Sequence, residues 1–217
     1  MTNLGAAHEW LGQHDDAIAC HQDSLAIYQE VGDRHGQAHS LSNLGIAYQR
    51  LGRHDEAVTC LQESLTIRRE LGARYGQANA LTSLGEVYRR AGQYRQAVAC
   101  LQEGLIIYRE LGDRHGQAIS LTNLGAVDER LGEHDEAVAR LQEGLTIFRE
   151  LGSPFGQAEA LRHLGDTLRA VARHQQARAA WQEALAICQA LQLPEADQIH
   201  AQLGALPSQD PEPASGP

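Results

Sequence analysis

The sequence predicts an all-α solenoid of stacked antiparallel helix pairs, and three observations support this prediction. A Leu-Gly pair returns every 40 residues, at positions 4–5, 44–45, 84–85, 124–125 and 164–165. Within a repeat, apolar residues lie three and four positions apart, as they do on one side of an α-helix. A fixed period of about 20 to 50 residues is typical of repeats that pack only on their neighbours. An alanine and a leucine share the period, at Ala17, Ala57, Ala97, Ala137 and Ala177 and at Leu25, Leu65, Leu105, Leu145 and Leu185.

Each repeat is predicted to contain two helices separated by a glycine. In residues 34–72, the first helix places Leu41 and Leu44 on one stripe, and the second places Leu61 on another. Gly52 and Gly72 follow these helices and suit a left-handed C-terminal position. The pattern predicts first helices near 1–11, 34–51, 74–91, 114–131 and 154–171, and second helices near 14–31, 54–71, 94–111, 134–151 and 174–192.

Helix boundaries are also marked by polar residues. Asp33, Asp113 and Ser153 precede first helices and are predicted to be N-caps, and Pro154 suits the first helical position. Gly45 falls inside a helix, where glycine costs about 1 kcal/mol relative to alanine. Its recurrence predicts that the second helix crosses closely at the position of Ala57, leaving no room for a Cβ.

The two ends of the chain depart from the repeat. A last helix near 195–205 loses the repeat alignment and is predicted to cap one solenoid domain spanning 1–206. Residues 207–217 are Pro-rich and polar, so we expect a disordered tail. The helix near 1–11 lacks a counterpart of residues 34–40, which makes the first of five repeats truncated. We therefore expect a fragment of a larger protein, with self-association through the exposed core surface of that truncated repeat.

Composition excludes several classes of function. The 217 residues carry 28 acidic and 18 basic side chains, a net charge of −10, which argues against a nucleic-acid partner. The first residues lack the basic and apolar regions of a secretory signal, and no apolar run approaches the roughly 20 residues that span a bilayer. We therefore expect no signal peptide, no membrane contact and a cytoplasmic protein. All basic residues are arginine, which we interpret as the coding bias of a GC-rich bacterium.

Cysteines and histidines recur without forming a recognisable site. Cys20, Cys60 and Cys100 share one repeat position, and we favour packing for them over a disulfide or metal role.

The repeated histidines lie on different repeats, so we predict no metal site. No phosphate-binding loop or catalytic motif occurs, and we predict neither a cofactor nor an enzyme.

The repeat resembles a known family. Its spacing of Leu41, Leu44, Gly45, Tyr48, Ala57, Leu61 and Ser64 is similar to the tetratricopeptide repeat (TPR) consensus over about residues 1–192. The 40-residue form resembles the Pins/LGN adaptors and kinesin light chains, and also arrays in bacterial transcription regulators and STAND-type signalling ATPases. The resemblance implies a right-handed superhelix whose first helices line a concave groove.

The same resemblance implies a row of groove residues that bond the backbone of an extended peptide. These residues are Asn3, Asn43, Ser83, Asn123 and His163. An amide has both a donor and an acceptor and suits this task, although it could instead bond within its own repeat. The implied function is a scaffold that binds a peptide or a partner protein; the alternative is a sensory array within a larger regulator or STAND-type ATPase.

A second row lies two helical turns further along the same face, seven residues after the amides. It consists of Arg50, Arg90 and Arg130. Three arginines at one repeat position could pair with the carboxylates of an acidic ligand. The alternative, which the sequence leaves equally open, is an arginine that bonds a neighbouring glutamate.

Overall fold

The computed structural model describes residues 14–207, and this part of the chain contains ten helices and no strand. Every predicted helix in this range is present, with ends within two residues of the prediction. The helix expected near 1–11 and residues 208–217 of the expected tail lie outside the described residues. The helices are α1 (His14–Glu30), α2 (Arg34–Arg50), α3 (His54–Glu70), α4 (Arg74–Arg90), α5 (Tyr94–Leu111), α6 (Arg114–Leu131), α7 (His134–Glu150), α8 (Pro154–Ala170), α9 (His174–Ala190) and α10 (Glu195–Ala205).

The chain forms two compact units, Met1–Gly112 and Asp113–Pro217. In the first unit, α1 to α5 pack in series, each on its sequence neighbour within the unit, and the first helices α2 and α4 also touch. In the second unit, α6 to α10 pack in the same serial way, and α6 touches α8. Helices within a unit therefore contact only near neighbours in sequence, as expected for stacked helix pairs. One continuous domain over 1–206 stays a prediction.

Close helix crossings explain the glycines inside the first helices. A Cβ on Gly45 would lie 2.6 Å from Leu61 Cγ and 3.3 Å from the carbonyl oxygen of Ala57. A Cβ on Gly85 would lie 2.5 Å from Leu101 Cγ. The predicted crossing is therefore confirmed, and the leucine one turn after the alanine makes its tightest contact.

The turns and caps agree with the sequence at all but one position. Gly52 and Gly72 have φ of +72° and +65°, as predicted. Asp33 accepts a hydrogen bond from the Gly36 amide at 3.0 Å, and Asp113 caps α6 in the same way. Ser153 is the exception: it occupies the N-cap position, but its side chain makes no cap hydrogen bond. Serine caps helices as well as aspartate does, so the difference lies in the orientation of the Ser153 side chain rather than in the residue type.

A repeated polar contact joins the start and the end of three helix pairs. Arg34 donates through Nη1 to Gln37 Oε1 at 2.9 Å and through Nη2 to Glu70. Pro154 and Ala190 replace both ends of this ion pair in the last repeat. The same contacts recur at Arg74 with Gln77 and Glu110, and at Arg114 with Gln117 and Glu150.

Helix α10 caps the second unit, as predicted. Ile199 is fully buried, and Gln202 Nε2 donates to Asp166 Oδ1 on α8 at 3.0 Å. Arg178 on α9 donates to the carbonyl oxygen of Leu206 at 3.1 Å, just beyond the end of α10. The short helix thus closes the last helix pair with both apolar and polar contacts. None of the helices in the described range is long and apolar enough to cross a membrane.

Candidate functional site

The amide row begins, within the described residues, at Asn43 in the middle of α2. Its side chain is half-buried, and its Nδ2 lies 3.4 Å from Nδ1 of His39, one turn earlier on the same helix. The Oδ1 of Asn43 has no hydrogen-bond partner in the described part of the chain. Asparagine is a poor residue for a helix interior. This amide therefore carries an unused acceptor at a position where it contributes little to the helix.

The other members of the row differ in exposure. Ser83 on α4 and Asn123 on α6 are half-buried, and neither side chain makes a hydrogen bond within the described residues. His163 on α8 is only 8% exposed, and its Nε2 lies 2.9 Å from Nη2 of Arg162. Asn3 lies outside the described residues. The row thus offers accessible polar groups at Asn43, Ser83 and Asn123 and little surface at His163.

The arginine row is exposed, and Arg90 is bonded to a glutamate of its own helix. Arg50, Arg90 and Arg130 all lie at the surface near the ends of their helices. Arg90 Nε donates to Oε1 of Glu86 at 2.6 Å, and Arg89 contacts the same carboxylate at 2.7 Å. The contact of Arg90 matches the alternative that the sequence left open, an arginine bonded to a neighbouring glutamate.

Glu86 is the site residue that sequence reasoning missed. It precedes Arg89 and Arg90 by three and four residues, the spacing at which helical side chains meet, so this signal was available. Burial opposes ionisation of Glu86, but hydrogen bonds and the positive charges of Arg89 and Arg90 outweigh it and lower its pKa. Asp166 holds the same repeat position in α8 and pairs with Arg162 at 3.6 Å. Carboxylates therefore neutralise part of the positive charge on two of the first helices.

The two rows are divided between the compact units. Asn43, Ser83, Arg50 and Arg90 lie in the first unit, on the touching helices α2 and α4. Asn123, His163 and Arg130 lie in the second unit, on the touching helices α6 and α8. Each unit therefore has its own pair of neighbouring first helices carrying the predicted polar positions.

The thiols and histidines show no sign of a reactive centre. Burial raises the pKa of Cys60 to about 11 and that of Cys100 to about 11, which leaves both thiols protonated near neutral pH. A protonated thiol is a weak nucleophile and a weak metal ligand. Among residues 14–207, no three His, Cys, Asp or Glu side chains form a group that could hold a metal ion.

Comparisons with known proteins agree with this architecture. One family model described as tetratricopeptide repeat matches residues 1–70 and 76–150, and a second with the same description matches residues 157–191. No curated protein matches the sequence significantly.

Solved structures with the same fold come from several kinds of protein. A putative kinesin light chain repeat protein from Podosopora anserina is 22% identical, with 88% of this chain and 94% of that chain covered and a TM-score of 0.69. A STAND protein with a tetratricopeptide repeat sensor, from Pyrococcus horikoshii, is 18% identical over 94% of this chain and 32% of its own, with a TM-score of 0.77. The Rap conjugation gene regulator of plasmid pLS20, solved with the Phr* peptide, is 16% identical over 92% of this chain and 55% of its own, with a TM-score of 0.78.

Proposed function

Because this chain belongs to the tetratricopeptide repeat family, we propose that it binds a partner protein or an extended peptide through its first helices. The observation that carries this proposal is the recurrence of half-buried amides with an unused acceptor, at Asn43 and Asn123. An extended peptide exposes unpaired backbone N–H and C=O groups, which an asparagine amide can satisfy in pairs. The fold likeness to a Rap regulator solved with a peptide supports the same class of ligand.

The proposal is tested by binding to a peptide library, read by fluorescence polarisation. The double variant Asn43→Ala with Asn123→Ala removes neutral hydrogen bonds that each contribute about 0.5–1.5 kcal/mol net. Affinity should therefore fall about fivefold to 100-fold for the peptides that bind wild type.

The matched control removes two exposed amides from second helices, by Gln102→Ala with Gln182→Ala. This control should keep wild-type affinity, because both glutamines lie on α5 and α9 rather than on first helices. The proposal would be contradicted if the asparagine double variant bound as tightly as wild type while the glutamine control lost affinity. That result would mean that the second helices form the binding surface.

A second candidate function is a sensory array within a larger signalling protein. The observation in its favour is that this chain resembles about a third of a STAND protein, whose description includes a tetratricopeptide repeat sensor. An antibody raised against this chain should then detect a polypeptide much larger than 23.7 kDa in extracts of the source cells. A single band at the mass of this chain would contradict the array hypothesis and leave the binding scaffold standing.

A further inference from the structure

One repeat has a cation where its neighbours have an aromatic ring. Near the ends of the second helices α1, α3 and α7, a side chain fills the space under the first-turn glycine of the following first helix. A Cβ on Gly36 would lie 2.3 Å from the ring of Tyr28, and one on Gly156 would lie 2.4 Å from the ring of Phe148. At the corresponding place, a Cβ on Gly76 would lie 2.2 Å from Nη1 of Arg68. The guanidinium of Arg68 therefore occupies the slot that holds a ring elsewhere.

Arg68 has no acidic partner within residues 14–207. Its Nε donates to Ser64 Oγ at 3.0 Å, and its Nη2 donates to Ser42 Oγ at 3.2 Å, so both known partners are neutral hydroxyls. The side chain is half-buried, and burial lowers its pKa. Its neighbour Arg69, in contrast, is exposed and pairs with Glu103 at 2.7 Å. A half-buried charge without a counter-ion is unfavourable, and a bound anion would relieve that cost.

The guanidinium borders an open pocket of about 440 Å³ in the first unit. Two histidines on α2 face the pocket with Arg68, namely His35 and His39, four residues apart on one side of the helix. The remaining lining is Tyr28, Gly36, Ala38 and Ala73, and it includes no carboxylate. The pocket is therefore lined by groups that can carry positive charge or donate hydrogen bonds, although the net charge of the chain is −10.

The corresponding place in the next repeat shows why this pocket is open. There the Tyr108 hydroxyl donates to Asn79 Oδ1 at 2.5 Å, and the ring packs edge-on against Tyr75 at 6.2 Å. Asn79 and Tyr75 hold the repeat positions of His39 and His35. Tyr108 thus contacts the first helix of its repeat, whereas the guanidinium of Arg68 is hydrogen-bonded to Ser42 and Ser64 instead.

We propose that this pocket binds an oxyanion, a carboxylate or a phosphoryl group, with Arg68 as the principal ligand and His35 and His39 as additional donors. Arginine presents five N–H donors in a planar fork, and the two serines use only part of that set. Charge-assisted hydrogen bonds to such a group are roughly twice as strong as neutral ones. His39 also contacts Asn43, so the oxyanion site adjoins the amide row but does not depend on it.

The test uses the whole chain and free anions, so it does not depend on any peptide. Inorganic phosphate and acetate are titrated separately at constant ionic strength, and NMR follows the Arg68 side chain and the His35 and His39 rings. We expect saturable shifts of all three with at least one anion. Saturation by phosphate alone identifies a phosphoryl ligand, saturation by acetate alone a carboxylate, and saturation by both a general oxyanion site. No saturable shift with either anion overturns the proposal.

Two variants separate the pocket from the general surface. Arg68→Tyr installs the residue of the first and third repeats and should weaken anion binding at least about tenfold, because a charge-assisted bond contributes about 1.5–3 kcal/mol. The matched control Arg69→Ala removes an adjacent exposed arginine and should bind as wild type does. If Arg68→Tyr does not fold, judged by circular dichroism, Arg68→Gln takes its place with the same expectation. Wild-type affinity in the folded Arg68 variant would contradict the assignment.

Discussion

Asp128 shows how a single repeat position can change its chemistry without changing the fold. Tyrosine holds this position in the second and third repeats, and leucine holds it in the fifth. Asp128 is 1% exposed, its Oδ2 accepts a hydrogen bond from Arg140 Nη1 at 2.6 Å, and its Oδ1 has no partner in the described chain. Arg140 itself replaces the cysteine of Cys60 and Cys100. The two departures from the repeat are therefore the two ends of one ion pair.

We predict that removing one end of this pair is costly and that removing both is not. Arg140→Ala leaves a buried carboxylate without its cation and should lower the free energy of unfolding by about 3 kcal/mol. Asp128→Leu with Arg140→Ala installs the residues of the fifth repeat, Leu168 and Ala180, and should recover this loss or exceed wild type by about 1–4 kcal/mol. Urea unfolding at pH 7 measures both variants. A double variant as unstable as Arg140→Ala would show that the pair contributes more than its desolvation costs.

The same carboxyl predicts a pH dependence of stability. Burial raises the pKa of Asp128 to about 6, and the charge of Arg140 only partly opposes this; the unfolded chain has an ordinary value of about 3.9. The folded state holds the proton more tightly, so the stabilising contribution is full below about pH 4 and declines as the pH rises through about 6.

The comparison with Asp128→Asn isolates this titration from that of other groups. The free energy of unfolding of wild type minus that of Asp128→Asn should fall by up to about 3 kcal/mol between pH 4 and pH 7. Urea unfolding at several pH values provides the measurement. A difference that grows with pH would mean that Arg140 holds the Asp128 pKa below its usual range.

At the scale of the helices, the repeat itself made prediction reliable. Leu44 and Leu61 recur with Gly45 at fixed spacing, so an ambiguity in one repeat was resolved by the others. The failure at Ser153 is local, because a cap bond depends on the orientation of one side chain rather than on periodicity. The position of α10 could be predicted, but its contacts could not. The bond from Gln202 to Asp166 joins a segment outside the repeat to α8, and periodicity carries no information about it.

Substitutions at two glycines can distinguish the effect of packing on stability from the effect of helix propensity. Gly85→Ala gains about 1 kcal/mol of helix propensity, but its Cβ would meet Leu101, which is fully buried and cannot move aside. Overpacking costs about 1–3 kcal/mol, so we expect a net loss of up to about 2 kcal/mol. Gly204→Ala on α10 is the control, because its Cβ would have no neighbour within 4 Å, and it should gain up to about 1 kcal/mol. Thermal unfolding compares the two; a gain in both would mean that the crossing at Gly85 is loose.

For the molecule as a whole, the sequence predicted the architecture better than the site. The positions Asn43 and Arg50 follow from the repeat, and both are accessible. The charge balance around them does not follow from the repeat, because Glu86 and Arg68 depart from it. Glu86 acts on arginines of its own helix, whereas the environment of Arg68 depends on a contact with Ser42 of the neighbouring helix. Residues that depart from the repeat therefore set much of the local charge around the predicted binding positions, and a periodic pattern does not reveal them.

The three arginines and the negative net charge of the protein should have opposite effects on its affinity for an acidic peptide. If Arg50, Arg90 and Arg130 attract an acidic peptide, its affinity for wild type should fall as salt rises, because salt screens that attraction. Replacing all three with alanine removes three positive charges and takes the net charge from −10 to −13. Repulsion then dominates, so the affinity of this variant for the same peptide should be lower at low salt and rise as salt is added.

Fluorescence polarisation between 0.05 and 0.5 M salt, roughly a threefold change in screening length, measures both slopes. A neutral peptide of the same length serves as the control and should show almost no slope with either protein. If wild type itself binds the acidic peptide more tightly at high salt, the net charge outweighs the arginines, and an acidic partner is the wrong choice for this surface.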